Sequence, residues 1–149
     1  MKTYNILFLC THNSARSVIG EALASTQTNG KFIGYSAGST PGTSVNPFAH
    51  ELAVDMGYPV EKLRSKSWDE FAKADAPHMD LVITVCDNAA GEVCPYWPGH
   101  PATAHWGYAD PSEVQGGADK QREAFRQTLH LIGKRLEIFV NLPATSLSK

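Results

Sequence analysis

Three cysteines, Cys10, Cys86 and Cys94, are the residues of this 149-residue chain best suited to chemistry. A cysteine thiolate is a strong nucleophile, and neighbouring thiols can pass a disulfide between them by exchange. An odd number of cysteines fits a fixed disulfide framework poorly, and the first residues do not resemble a secretory signal. We therefore expect a cytoplasmic protein whose cysteines are catalytic, redox-active or metal-binding.

Cys10 begins a short polar segment in which five residues separate the cysteine from an arginine, and a serine follows directly. The segment consists of Cys10, Thr11, His12, Asn13, Ser14, Ala15, Arg16 and Ser17. An apolar stretch precedes it and a helical pattern follows, so its backbone N–H groups would converge at a helix N-terminus. The guanidinium of Arg16 adds a planar fork of donors for a tetrahedral oxyanion. We predict a loop that binds an oxyanion and favours the Cys10 thiolate, with a hydrogen bond from Ser17 to the sulfur.

Strand and helix patterns alternate along the chain around this loop. Hydrophobic spacing predicts strands over residues 4–9, 31–37, 80–85 and 104–106, and helices over 17–28, 47–56, 67–74 and 118–140. This order indicates one α/β domain over residues 1–141, with a four-stranded parallel sheet, helices on both faces and a frayed tail at 142–149. Ligands of such sheets bind beyond the carboxyl ends of the strands, so we expect Cys10 and Cys86, which both follow strands, to meet there.

The overall charge argues against two classes of partner. The chain has 13 Lys and Arg against 15 Asp and Glu, a net charge of −2. No basic run marks a nucleic-acid-binding face, and no apolar stretch has the length of a membrane span. We therefore expect neither nucleic acid nor a membrane as partner, and an anionic substrate would have to be held by local groups.

Several segments together resemble a known family over residues 6–140. They are the loop that begins at Cys10, the stretches 35–38 and 84–86, the pair 94–95 and the stretch 105–111, which ends in Asp110 and Pro111. They are similar to the low-molecular-weight protein tyrosine phosphatase superfamily, and most of all to its arsenate reductase branch. The resemblance implies the fold of that superfamily.

The resemblance also implies an activity, the reduction of arsenate to arsenite for arsenic detoxification. Cys10 would attack arsenate in the loop, where Arg16 helps to bind it and where phosphate or sulfate would bind as analogues. Asp110 would act as the general acid. Cys86 would then release arsenite by attacking Cys10, and Cys94 would take over the disulfide. No bound cofactor is implied; an external thiol reductant, either thioredoxin or glutathione with glutaredoxin, would reduce the protein again.

The alternative within the superfamily is a low-molecular-weight tyrosine phosphatase that hydrolyses aryl phosphates through Cys10. That branch commonly has aromatic residues after its Asp-Pro pair, whereas Ser112 and Glu113 follow here. The phosphatase reaction also leaves Cys86 and Cys94 without a role. Both observations favour the reductase.

A second alternative is a redox-sensing or metal-sensing module without enzymatic activity. A structural zinc site is a separate alternative, because Cys86, Cys94, His100 and His105 offer four ligands for zinc. Seven residues separate the two cysteines, which is loose for zinc and one residue more than the resemblance implies for the thioredoxin-coupled type. The sensing module would leave the anion loop and Asp110 unexplained.

Asn13, Glu21, Ser36 and Asp69 match by position the residues that hold a potassium ion in some arsenate reductases. The residues themselves favour ordinary roles, since Glu21 fits a helix face, Ser36 a strand end and Asp69 a helix start. A potassium site needs oxygens that converge in space, which the sequence does not determine.

Overall fold

The computed structural model describes residues 3–10, 15–28, 30–38, 45–63, 65–71, 79–85, 103–108, 111 and 114–140. The strands are β1 Tyr4–Cys10, β2 Phe32–Gly38, β3 Leu81–Thr84 and β4 Thr103–His105. The α-helices are α1 Arg16–Thr26, α2 Pro47–Asp55 and α3 Ala118–Val140, and two short 3₁₀ helices span Val60–Lys62 and Trp68–Phe71. The first and last residues of each strand and α-helix differ by no more than two positions from those predicted from hydrophobic spacing.

The strands form a parallel sheet in the order β2-β1-β3-β4. The side chains of β1 are covered on both faces of the sheet, which is why the sequence of this strand is a nearly continuous apolar run. The register pairs Cys10 with Gly38 of β2 and Leu9 with Thr84 of β3. The predicted α/β class with a parallel sheet is confirmed.

The two faces of the sheet are covered differently. Ile6 and Phe8 face a core to which α1, α2 and α3 all contribute; its fully buried members from the first and last helices include Ile19, Phe125 and Ile132. Leu7 and Leu9 face a smaller cluster with Met79, Trp68 and Phe71. In the described part of the chain, the second face is therefore covered by the 3₁₀ helix Trp68–Phe71 and not by an α-helix.

The prediction of one regular helix over residues 67–74 is wrong where the structure describes it, because residues 68–71 form a 3₁₀ helix. Ser67 is held in a bridge to Gly38 at the end of β2. Its carbonyl accepts the Glu70 N–H at 3.1 Å and its hydroxyl accepts the Asp69 N–H at 3.1 Å. These tight bonds from a fixed residue favour a short 3₁₀ turn.

Helix α1 lies unusually close to β2 at Gly34. A Cβ atom added to Gly34 would lie 2.8 Å from the Cα of Glu21 and would also overlap its carbonyl oxygen. The Gly34 N–H donates to the Ser25 hydroxyl at 3.0 Å. Backbone atoms cannot swing aside as a flexible side chain can, so this contact requires glycine.

We expect Gly34→Ala to lower the free energy of unfolding by about 1–3 kcal/mol, because the new methyl group overpacks two backbones. Gly133→Ala is the matched control, since its Cβ would have Leu23 Cδ2 as nearest neighbour at 4.0 Å. Within a helix this control should be neutral or more stable by up to about 1 kcal/mol. Urea unfolding measures both changes, and equal midpoints for the two variants would contradict the proposed contact.

Candidate active site

Cys10 lies at the carboxyl end of β1 and is almost completely covered, with 3% of its surface exposed. Its sulfur lies 3.0 Å from the hydroxyl oxygen of Ser17 in the first turn of α1. A thiolate can only accept hydrogen bonds, so the Ser17 hydroxyl is the donor whenever Cys10 is ionised. The structure thus brings together the thiol and the serine that the sequence placed at one site.

Arg16, the first residue of α1, is 4% exposed. Its Nη1 donates a hydrogen bond of 2.8 Å to the backbone carbonyl of Tyr108, which lies 92 residues further along the chain. Ala15 precedes the helix, and its carbonyl accepts the Ile19 N–H at 3.0 Å. Arg16 therefore ties the start of α1 to the segment that leads to Asp110.

A row of backbone hydrogen bonds aligns three chain segments at this edge of the sheet. The Val85 N–H donates to the Leu9 carbonyl at 2.9 Å, and the Tyr108 N–H donates to the Val85 carbonyl at 3.3 Å. Cys10 follows Leu9 directly, Cys86 follows Val85 directly, and Asp110 comes two residues after Tyr108. The segments that lead to Cys10, Cys86 and Asp110, three of the five predicted catalytic positions, are thus side by side.

Several predicted site residues lie outside the described residues. They are Thr11, His12, Asn13 and Ser14 of the anion loop, Cys86 and Cys94 of the relay, Asp110, and His100 of the zinc alternative. His105, the remaining zinc candidate, places its Nδ1 2.7 Å from the Thr84 hydroxyl. Among the described residues, no group of three or more His, Cys, Asp or Glu side chains could hold a metal ion.

Two aromatic residues of the segment that leads to Asp110, Trp106 and Tyr108, pack against neighbouring elements. Trp106 meets Phe8 of β1 edge-on, with ring centroids 6.4 Å apart. The guanidinium of Arg135 in α3 lies 5.8 Å from the centroid of the Trp106 ring and 5.6 Å from that of Tyr108. Burial raises the pKa of Tyr108 despite the nearby positive charge, so its phenol stays neutral at physiological pH. Arg135 was not predicted from the sequence, because it is an exposed residue of α3 next to the buried Leu136 and nothing local distinguishes it.

Glu21 and Ser36, two of the residues matched to a potassium site, do meet in the structure. The Ser36 hydroxyl donates to Glu21 Oε1 at 2.5 Å, and the Tyr58 hydroxyl donates to Oε2. Burial and the negative charge of Glu21 raise the pKa of Tyr58 far above its usual range. Asp69 lies exposed at the start of its 3₁₀ helix, and Asn13 is outside the described residues.

Lys66 completes this cluster and was not predicted from the sequence. Its ammonium nitrogen lies 3.7 Å from Glu21 Oε1 and 3.5 Å from the Ser36 hydroxyl oxygen. Only 8% of Lys66 is exposed. A lysine in a polar stretch is typical of a protein surface, and its partners lie 30 or more residues away, so nothing local in the sequence marks it as buried.

A family model described as low molecular weight phosphotyrosine protein phosphatase matches residues 5–149. The chain belongs to this family. An arsenate reductase of Halalkalibacterium halodurans is 34% identical over 134 residues, which cover 90% of this chain and 93% of the relative. This member of the low-molecular-weight phosphatase family is therefore similar to a reductase over nearly the whole length of both chains.

Two solved structures of arsenate reductases are also similar to this member of the phosphatase family in their three-dimensional fold. An arsenate reductase from Archaeoglobus fulgidus superposes with a TM-score of 0.73 at 27% identity and covers 92% of this chain and 99% of the other. A thioredoxin-dependent arsenate reductase of Corynebacterium glutamicum gives a TM-score of 0.61 at 27% identity and covers 93% of this chain and 62% of the other. Within the described residues, no helix has the length and apolar character needed to cross a membrane.

We expect Ser17→Ala to slow the alkylation of Cys10 by iodoacetate at pH 6–7 about tenfold, because a hydrogen bond to a charged group is worth about 1.5–3 kcal/mol. In the unaltered protein, Cys10 should react faster than Cys86 or Cys94 at this pH, as peptide mapping would show. Thr26→Ala is the control, since the Thr26 hydroxyl bonds to the Ala22 carbonyl of its own helix at 2.7 Å. Equal Cys10 rates in all three proteins would contradict a role of Ser17 in holding the thiolate.

Proposed function

We propose that this protein reduces arsenate to arsenite, with Cys10 as the nucleophile and with Cys86 and Cys94 as the thiols that are oxidised in its place. The observation that carries the proposal is the hydrogen bond from Val85 to Leu9. Neighbouring strands lie about 4.8 Å apart. A disulfide bridges Cα atoms that are about 4.4–6.8 Å apart. Chain segments this close at Leu9 and Val85 suit a disulfide between the cysteines that follow them.

The first step forms a bond between the Cys10 sulfur and the arsenic of arsenate. One As–O bond breaks, and Asp110 supplies the proton with which that oxygen leaves as water. The contact between Ser17 and Cys10 supports the thiolate required for this attack. The bond from Arg16 to Tyr108 supports the approach of the Asp110 segment to the same edge.

The next steps move two electrons from thiols to arsenic. The Cys86 thiolate attacks the Cys10 sulfur, the S–As bond breaks, and its electron pair stays on arsenic, which leaves as arsenite. Cys94 then attacks Cys86, which frees Cys10 as a thiolate and leaves a Cys86–Cys94 disulfide. An external thiol reductant restores both thiols, so we place the protein in the cytoplasm, where thiols are kept reduced.

Thioredoxin is the reductant that we favour, because one structural relative is thioredoxin-dependent by name. Glutathione with glutaredoxin is the alternative. The two are distinguished by supplying each system, with its NADPH-linked reductase, to the same preparation and following NADPH oxidation upon addition of arsenate.

A phosphatase activity is the second candidate, because the family model describes phosphotyrosine phosphatases and a phosphate ester would be attacked by the same Cys10 thiolate. An aryl phosphate would require Cys10, the anion loop and Asp110 but neither of the other cysteines. We expect its hydrolysis to be slow and to survive in Cys86→Ser. Loss of arsenate reduction and of aryl phosphate hydrolysis together in that variant would indicate that Cys86 is structural.

Asp110→Asn should slow the release of arsenite in a single turnover about 100- to 10,000-fold, because the leaving oxygen loses its proton donor. Phosphate and sulfate should still protect Cys10 from iodoacetate, since the loop itself is unchanged. Asp119→Asn serves as the control; this side chain lies fully exposed at the start of α3. Unchanged turnover in Asp110→Asn would remove Asp110 from the mechanism.

Cys94→Ser should release about one arsenite per molecule and then stop with a Cys10–Cys86 disulfide, since only the third thiol is missing. Cys86→Ser should release none in that turnover and should keep the arsenic on Cys10. Arsenite measurement and peptide mapping without reductant identify both products. Repeated turnover of Cys94→Ser with thioredoxin would show that Cys94 is not the resolving thiol.

A further inference from the structure

Lys66 brings a positive charge into the interior of the protein, next to the helix whose first turn carries Arg16 and Ser17. Its ammonium nitrogen is 3.7 Å from the carboxylate of Glu21, which is itself 5% exposed. A carboxylate that is this well covered requires a compensating charge or several hydrogen bonds to remain ionised. Lys66 supplies the charge, and the hydroxyls of Ser36 and Tyr58 supply two hydrogen bonds.

These residues do not fit a potassium ion as long as Lys66 is in place. Both oxygens of the Glu21 carboxylate already accept hydrogen bonds, from Ser36 and Tyr58. The ammonium group of Lys66 lies within 3.5 Å of the Ser36 oxygen, which is one of the oxygens a potassium ion would need. A potassium ion bound to the Ser36 oxygen would therefore lie close to the Lys66 ammonium group, and two positive charges this close in a buried cluster repel each other strongly.

We propose that Lys66 is a positioning residue that takes the place of the potassium ion, so that this protein works at full rate without one. For its effect on catalysis, the inference rests on the proposed arsenate reduction. For its effect on stability, it rests on the cluster of Lys66, Glu21, Ser36 and Tyr58 alone.

The position of Lys66 explains how its charge would reach the site. Its backbone carbonyl accepts the Gly38 N–H at 2.9 Å, and Gly38 is the register partner of Cys10. Its side chain meets Glu21 on α1 and Ser36 on β2. Lys66 therefore connects the two elements that flank Cys10, and loss of its charge should loosen α1 against the strand beside the nucleophile.

The unaltered protein gives the first test. Arsenate reduction and the thermal midpoint are measured while potassium chloride is replaced by choline chloride at constant ionic strength. We expect kcat/KM and the midpoint to stay the same. A change in kcat/KM of more than about threefold, well above ordinary salt effects on surface charges, would overturn the proposal.

Lys66→Ala gives the second test, with Lys62→Ala as control because Lys62 is an exposed lysine in a neighbouring 3₁₀ helix. In choline, Lys66→Ala should melt roughly 6 °C or more below the unaltered protein, since one partner of a buried pair is missing. Potassium should raise the thermal midpoint of Lys66→Ala and restore part of its kcat/KM. It should change neither quantity in Lys62→Ala. Equal midpoints of Lys66→Ala in potassium and choline would overturn the proposal.

The doubly neutral variant Lys66→Met with Glu21→Gln covers the case in which Lys66→Ala does not fold. It removes both charges, so it should fold and its thermal midpoint should not respond to potassium. A midpoint that rises with potassium would overturn the proposal. The thermal measurements require no arsenate. A failure to reduce arsenate would therefore refute the proposed function, while the thermal midpoints would still decide whether Lys66 replaces the potassium ion.

Discussion

The candidate site depends on the hydrogen bonds that align the ends of the strands, and the segments that follow them, at the carboxyl edge of the sheet. Val85 bonds to Leu9, Tyr108 bonds to Val85, and Arg16 returns from α1 to the Tyr108 carbonyl. Buried backbone groups cannot be left unpaired without a large cost, so this register is fixed. A slip of one residue would also turn every side chain of a strand to the opposite face. The elements of the fold therefore determine which residues can reach Cys10.

Charge at this edge is arranged locally, since the chain as a whole is slightly acidic. The groups that suit an anion are Arg16 and the start of α1, whereas Glu21, one helical turn further on, is balanced by Lys66. The buried carboxylate consequently adds little net negative charge near the start of α1. The opposite arrangement, an unbalanced Glu21 on the helix that follows the proposed anion loop, would work against the binding of an anion there.

The sequence was sufficient for most of the fold because hydrophobic spacing is a local property. The buried run of β1 and the long stripe of α3 were predicted to within one residue at each end, and Ser17 was correctly paired with Cys10. The contacts that Lys66 and Arg16 make with distant segments were not predicted. Nothing near Lys66 indicates that Glu21 will lie against it, and nothing near Arg16 indicates that its guanidinium will bind the backbone of Tyr108.

The difference between local and distant contacts has a consequence for the nascent chain. The contact between Cys10 and Ser17 spans seven residues and lies within a β1–α1–β2 unit, whereas the bond from Arg16 to Tyr108 spans 92. Contacts with short sequence separation cost less loop entropy and form earlier. We therefore expect synthesis to complete the contact between Cys10 and Ser17 before the proposed proton donor and the proposed resolving thiols are in place. During that interval an oxidant could consume Cys10 irreversibly, so a reducing environment protects this protein from its first seconds and not only during turnover.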